Sequence, residues 1–143
     1  MPNMIETAVA MLAATSVGAV WSSCATDIGP QAALDRLGQI KPKVLFSVDG
    51  YFYKAKPFNT IGNAGEIAKA MPSLKKSVIV SYVGYRPDLS NIPNAVHYED
   101  FLAKGETPAL EFEQLPFDHP VFIMFSSVTT GKPNCMVQGA GGI

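Results

Sequence analysis

The stretch VFIMFSSVTTGKPN, residues 121–134, joins an apolar run to a cluster of hydroxyl groups. Such a run without polar alternation is typical of a strand that is buried on both faces. The serines, threonines, glycine and lysine that follow would stand at the carboxyl end of that strand, where ligands bind in open α/β sheets. The stretch therefore predicts a buried strand that presents hydroxyls and a cation to an anionic ligand.

Apolar runs and helical patterns alternate upstream of this stretch. Strands are predicted over residues 19–23, 43–49 and 77–83, and helices over 3–15, 29–40, 59–72 and 98–104. The proline-rich segment 84–120 is predicted to be mainly connection. Because strands and helices alternate, the fold class is α/β, a mostly parallel sheet with crossover helices.

The first helical segment has an apolar face of small side chains. Ile5, Ala8, Val9 and Leu12 share this face, and Asn3 could cap the helix. We therefore expect the helix to pack by this side.

The composition is that of a globular protein. The 143 residues are 48% hydrophobic and 16% charged, enough for one domain or a piece of one. Eleven basic and twelve acidic residues leave a net charge of -1, so no overall field attracts nucleic acid or an anionic membrane. Anion binding must therefore be local.

The apolar segment 8–21 is too short to span a bilayer and lacks the basic region of an export signal. Cys24 and Cys135 show no metal-ligand spacing, which favours buried, reduced thiols over a disulfide. We therefore expect a cytoplasmic protein.

Other chemistries have little support. His97 and His119 lack metal-ligand spacing, and no GxSxG motif surrounds Ser126 or Ser127. Cys135 has no sequence context that would activate it as a nucleophile. The terminal GAGGI opens no predicted helix, which argues against a dinucleotide fingerprint.

The hydroxyl-rich loop has the groups that phosphate binding requires: backbone NH groups, hydroxyls and a cation. It does not match the Walker A pattern, since Ser126 replaces the first glycine and Pro133 follows Lys132. The segment SSVTTGKPN does resemble the signature SSGTTGxPK of the adenylate-forming superfamily of acyl-CoA synthetases. Upstream segments, among them LDRLGQIKPKVLFSVDGYFYKAK, look most like the acetoacetyl-CoA synthetases of that superfamily.

This resemblance implies a ligase that uses ATP, Mg²⁺ and CoA to activate a small carboxylate such as acetoacetate. It implies that the ATP phosphates contact Ser126, Ser127, Thr129, Thr130, Gly131 and Lys132. It also makes Lys54 and Lys56 candidates for binding CoA phosphates; their alternative interpretation is a solvated pair at a strand end.

Two positions depart from the signature. Val128 replaces a glycine, and a β-branched residue in a left-handed conformation is strained by about 1 to 2 kcal/mol. Asn134 replaces a lysine, so an amide stands where the family has a positive charge. Both departures predict weak ATP binding or none.

The sequence lacks the later motifs of the superfamily for adenine, ribose and the adenylation lysine. We therefore interpret residues 1–143 as a single partial AMP-binding domain, a fragment without complete activity of its own. Two alternatives remain open. The chain could be a non-catalytic module that binds a nucleotide or a partner, or it could be complemented by the rest of a synthetase chain.

Overall fold

The computed structural model describes residues 1–84, 86–126 and 131–143. The helices are α1 (Ile5–Ser16), α2 (Pro30–Ile40), α3 (Ile61–Ala70) and α4 (Tyr98–Phe101). The strands are β1 (Trp21–Ser22), β2 (Val44–Val48), β3 (Gly50–Tyr53), β4 (Lys56–Asn59), β5 (Lys76–Val80), β6 (Ala95–His97), β7 (Pro120–Ser126) and β8 (Asn134–Gly139). A 3₁₀ turn spans Ala140–Gly142. The predicted α/β class is confirmed.

The chain forms two compact units. The first unit holds residues 1–2 and 24–104, and the second holds 3–23 and 105–143. The interpretation of 1–143 as one partial domain stays a prediction.

The first unit is built on a parallel sheet with strand order β2-β5-β6. The chain reaches β5 from β2 through α3, as parallel pairing requires a long crossover. Helices α2 and α3 also pack against each other. The buried hydrophobic residues of this unit are Ala33, Leu37, Val48, Ala64, Ala68, Met71, Leu74, Val78, Ile79, Val80 and Ile92.

The antiparallel hairpin β3–β4 was not predicted from the sequence. Its register pairs Tyr53 with Lys56, so a two-residue turn of Lys54 and Ala55 joins the strands. Both turn residues have positive φ, 48° and 60°. Such turns are usually recognised by Asn-Gly or Asp-Gly, and Lys-Ala gives no such signal.

The second unit contains a mixed sheet with strand order β1-β7-β8. Strand β7 pairs in parallel with β1 and antiparallel with β8. The predicted strands near 19–23 and 121–125 are therefore present, whereas β8 was missed. Residues 134–139 begin with an asparagine and end with a glycine, which gives the segment a weak strand pattern. It forms a strand because it pairs with β7.

The predicted packing face of α1 is wrong. Ile5 is 79% exposed and Leu12 62% exposed, whereas Ala10 is the buried residue of this helix. Met4 rather than Asn3 occupies the N-cap position, and no side chain caps the helix. The segment is apolar on most sides, so its periodicity could not identify the face that packs.

Candidate functional site

The candidate phosphate loop connects β7 to β8 in the second unit. Strand β7 ends at Ser126, and β8 begins at Asn134, its register partner. Four residues of the loop lie outside the described part of the chain: the predicted contacts Ser127, Thr129 and Thr130, and the departure Val128. The described remainder of the loop is open to solvent at Gly131 and Lys132.

The loop follows the carboxyl end of a parallel strand pair. Strands β1 and β7 align Trp21 with Phe122, and the Ser22 hydroxyl donates a 2.7 Å hydrogen bond to the Ile123 carbonyl oxygen. Carboxyl ends of parallel strands meet at one sheet edge, where ligands bind in α/β proteins. Ser126, the last residue of β7, therefore lies at the edge of the sheet where the sequence analysis predicts ligand binding.

Gly131 and Asn134 suit an anion site to different degrees. Gly131 has a φ of 88°, a left-handed conformation that glycine adopts without strain. Asn134 is exposed at the start of β8, close in the chain to Lys132. Its amide can donate hydrogen bonds but carries no charge, so Lys132 is the cation of the described part of this loop.

The two lysines predicted to bind CoA lie at the tip of the β3–β4 hairpin in the first unit. Lys54 occupies the turn and Lys56 begins β4, and both are exposed. The Lys54 Nζ lies 5.5 Å from the centroid of the Tyr53 ring, a cation–π distance. The structure thus brings both lysines to one hairpin tip.

A buried carboxylate at the base of this hairpin was missed by the sequence analysis. Asp49 is 2% exposed and accepts three backbone NH hydrogen bonds, from Tyr82 at 2.7 Å, Val83 at 3.0 Å and Gly84 at 2.8 Å. Charge-assisted hydrogen bonds of this kind are about twice as strong as neutral ones. The only sequence feature that could have indicated this site is an aspartate directly after an apolar strand. Its hydrogen-bond partners are 33 to 35 residues away in the chain, so no local pattern connects them.

Two hydrogen bonds from Thr60 close the base of the hairpin. The Thr60 NH donates to the Asp49 carbonyl oxygen at 2.8 Å, and the Thr60 hydroxyl donates to the Val48 carbonyl oxygen at 2.9 Å. A Cβ at Gly50 would collide with the carbonyl oxygen of Phe58 and with the Val83 side chain. Residues 49, 50 and 60 therefore fix the hairpin to the carboxyl end of β2.

An open pocket of about 520 Å³ lies beyond the carboxyl end of β5. Its lining residues are Ser81, Tyr82, Val83, Gly84, Arg86 and Glu99. The Arg86 guanidinium donates a 2.8 Å hydrogen bond to the Asp100 carboxylate, and this bond and its charge hold the pKa of Asp100 below its usual value. The cation of this pocket is thus already paired with an acid.

Within the described residues, three buried side-chain atoms have no hydrogen-bond partner: Ser77 Oγ, Ser81 Oγ and His97 Nδ1. The same part of the chain contains no group of three or more His, Cys, Asp or Glu residues able to hold a metal ion. None of its helices combines the length and the apolar character that crossing a membrane requires.

The AMP-binding enzyme family model matches residues 1–140. The chain belongs to this family. Acetoacetyl-CoA synthetase of Gallus gallus is 52% identical over 99% of this chain, and the acetoacetyl-coenzyme A synthetase of Rhizobium meliloti is 46% identical over 99%. The resemblance predicted from the phosphate-loop signature is confirmed.

A solved structure of an AMP-binding relative has the same fold. Acetoacetyl-CoA synthetase from Streptomyces lividans superposes with a TM-score of 0.90 at 37% identity, over 99% of this chain and 21% of that chain. This chain likewise spans 22% of the length of both the Gallus and the Rhizobium relatives. The matched segment is thus one part of a much longer fold.

Proposed function

We propose that the chain is part of an acetoacetyl-CoA synthetase-type ligase, located in the cytoplasm. In the proposed reaction, the oxygen of a small carboxylate such as acetoacetate attacks the α-phosphorus of ATP and pyrophosphate leaves. The CoA sulfur then attacks the acyl carbonyl and AMP leaves. The 52% identity to a named acetoacetyl-CoA synthetase over nearly the whole chain supports this proposal.

The observation that carries the proposal is the position of the hydroxyl-rich loop. It follows the carboxyl end of β7, which continues to Ser126, past the point where the parallel strand β1 ends beside Ile123. Its described residues Gly131 and Lys132 are exposed. In the proposed function this loop surrounds the terminal phosphates of MgATP. Ser126, Ser127, Thr129 and Thr130 would supply hydroxyls, and Lys132 would supply charge.

We propose that the loop of this chain binds ATP weakly because of Val128 and Asn134. Isothermal titration with MgATP tests this: we expect no saturable binding at micromolar concentrations. The double variant Val128→Gly with Asn134→Lys should bind at least about tenfold more tightly, since a charge-assisted hydrogen bond contributes about 1.5 to 3 kcal/mol.

Asn91→Lys is the matched control for charge. Asn91 is exposed in the first unit, so this variant adds the same positive charge outside the loop. It should leave MgATP binding unchanged. Micromolar binding by the unmodified chain would contradict a damaged loop, and equal gains from both lysine substitutions would assign the improvement to net charge.

We further propose that the 143 residues do not complete the reaction alone and that the remainder of a synthetase chain is their partner. Mixing the protein with the remaining segment of the Streptomyces lividans relative, with ATP, acetoacetate and CoA, tests this. Acyl-adenylate formed only by the mixture would support complementation. Formation by the 143-residue chain alone would overturn the proposed inactivity.

A second candidate function is a non-catalytic module that binds a nucleotide or a protein partner. Exposed apolar residues of the second unit favour it: Met124 at 47% and Met136 at 40% exposure are register partners and share one face of the β7–β8 pair. Patches of this kind mark interaction surfaces when they are contiguous. Size-exclusion chromatography with light scattering discriminates, since a clean monomer at high concentration would count against an interaction surface.

A further inference from the structure

Four lysines gather at the amino ends of two neighbouring strands in the first unit. Residues 41–44 and 72–76 contain four lysines and no acidic residue, and we call this surface the lysine edge. Strands β2 and β5 pair Val44 with Lys76 in parallel register, so both strands begin at this edge. Their carboxyl ends, which lead to the hairpin and to the pocket, lie at the other side of the sheet. The lysine edge is thus separate from the candidate ligand sites of this unit.

Hydrogen bonds fix the two halves of the lysine edge to each other. The Lys75 NH donates to the Lys43 carbonyl oxygen at 2.7 Å, and the Lys76 NH donates to the same oxygen at 3.3 Å. The Ser73 hydroxyl donates to the Pro42 carbonyl oxygen at 2.9 Å. A surface that is fixed in this way loses little freedom when a partner binds.

The charges of the lysine edge are exposed and unbalanced. Lys41, Lys43, Lys75 and Lys76 are exposed, and within the described residues none of them forms an ion pair. Unpaired like charges repel one another, and an acidic partner removes this repulsion. Val44, at the start of β2, is 40% exposed and adds apolar surface. The edge therefore fits a partner that offers carboxylates together with apolar side chains.

The protein itself contains a segment of this chemistry in the second unit. Residues 105–118, which we call the acidic segment, contain four acidic residues and no basic residue. Every residue of this segment is exposed, and Leu110 and Phe112 are 75% and 61% exposed. The segment forms neither helix nor strand. Its carboxylates and its large apolar side chains are therefore available to a partner.

We propose that the lysine edge of one copy of this protein binds the acidic segment of a second copy. Four lysines meet four carboxylates in this contact, and Leu110 and Phe112 cover the apolar surface of Val44. Each copy carries both surfaces, so two reciprocal contacts close a dimer. The proposal does not depend on the ligase function, because neither surface includes the phosphate loop or the hairpin.

Sedimentation velocity of the 143-residue protein over a range of concentrations tests for the dimer. We expect its dissociation constant to rise at least about tenfold between about 0.05 M and about 0.5 M NaCl, because salt screens exposed charges. Absence of self-association at about 1 mM protein would overturn the proposal.

Charge reversal identifies the two surfaces that meet. The edge variant Lys43→Glu with Lys75→Glu and the segment variant Glu111→Lys with Glu113→Lys should each weaken self-association at least about tenfold. A mixture of the two variants should form the dimer again, since each reversed surface then faces one of opposite charge. Failure of this mixture to associate would show that the two surfaces do not meet.

Lys54→Glu with Lys56→Glu is the matched control for net charge. Both lysines are exposed in the first unit and lie outside the lysine edge. This control should self-associate like the unmodified protein, and it should bind the segment variant at least about tenfold more weakly than the edge variant does. Equal binding would assign the attraction to net charge and contradict the contact. Circular dichroism verifies that each variant is folded.

An anionic membrane is the alternative occupant of the lysine edge, and the same variants separate the two. Co-sedimentation with phosphatidylserine vesicles that is lost in the edge variant, without self-association of the unmodified protein, would assign the edge to lipid and refute the dimer. Self-association that neither salt nor either charge-reversal variant changes would refute the proposed contact as well.

Discussion

Strand β5 of the first unit and strand β7 of the second unit have similar apolar sequences but very different burial. Val78 and Ile79 in β5 are fully buried, whereas Met124 in β7 is 47% exposed. Among the described residues, all buried hydrophobic side chains except Ala10 and Pro133 belong to the first unit. An apolar run thus identifies a strand, but the elements that cover the strand decide its burial.

The largest expected effect concerns the carboxylate that organises the first unit. Asp49→Ala should lower the free energy of unfolding by about 3 kcal/mol, because three backbone NH groups lose a charged acceptor. Urea denaturation followed by circular dichroism measures the change.

Asp88→Ala is the control for Asp49→Ala. Asp88 is exposed, and its carboxylate accepts hydrogen bonds only locally, from the Ser90 NH and hydroxyl. The control should unfold at the same urea concentration as the unmodified protein. Equal destabilisation by both variants would show that the Asp49 hydrogen bonds contribute no more to stability than those of Asp88.

A matched pair of valines tests the contrast in burial between the two sheets. Val78→Thr should destabilise the protein by about 2 kcal/mol, because it places a hydroxyl in a fully buried site. Val137→Thr, in exposed β8, should change stability by less than about 0.5 kcal/mol. Thermal unfolding of both variants checks this, and equal losses would contradict the contrast.

Replacing an alanine by glycine should raise stability at one position of the first unit and lower it at one position of the second. Ala55→Gly should stabilise the protein by about 0.5 to 1 kcal/mol, because Ala55 has a φ of 60° in the hairpin turn. Ala13→Gly, in helix α1 of the second unit, should destabilise by about 1 kcal/mol. Chemical denaturation of both variants measures the change in the free energy of unfolding. Destabilisation by Ala55→Gly would contradict the strained turn.

The smallest effect is electrostatic and lies in the first unit. The hydrogen bond from Arg86 and its charge lower the pKa of Asp100. Because folding lowers this pKa, the Arg86–Asp100 pair stabilises the protein at pH values above the unfolded-state pKa of Asp100. This stabilisation is lost as the pH falls through the folded-state pKa. NMR titration should show the Asp100 pKa rising towards its ordinary value in Arg86→Met, and an unchanged pKa would contradict the pairing.

The fold was predictable where the local pattern and the tertiary packing agree. The helix predicted over residues 29–40 is present as α2. Pro30 lies in its first turn, and its Ala33 and Leu37 side chains are buried. The pattern failed for α1, where small apolar residues surround the helix and no single face is marked. It also failed for the β3–β4 hairpin, where Lys54 and Ala55 adopt conformations usually taken by Asn and Gly.

The candidate sites also differ in whether a local sequence pattern or contacts between distant segments define them. The order of hydroxyls, glycine and lysine after β7 is a local feature, so the sequence alone determined the phosphate-loop hypothesis and the family. Only the tertiary structure decided that Asp49 would gather the NH groups of residues 82–84, and that the hairpin rings would share a face with Lys56. Such contacts depend on strand order and register, which distant segments set together and no short stretch of sequence encodes.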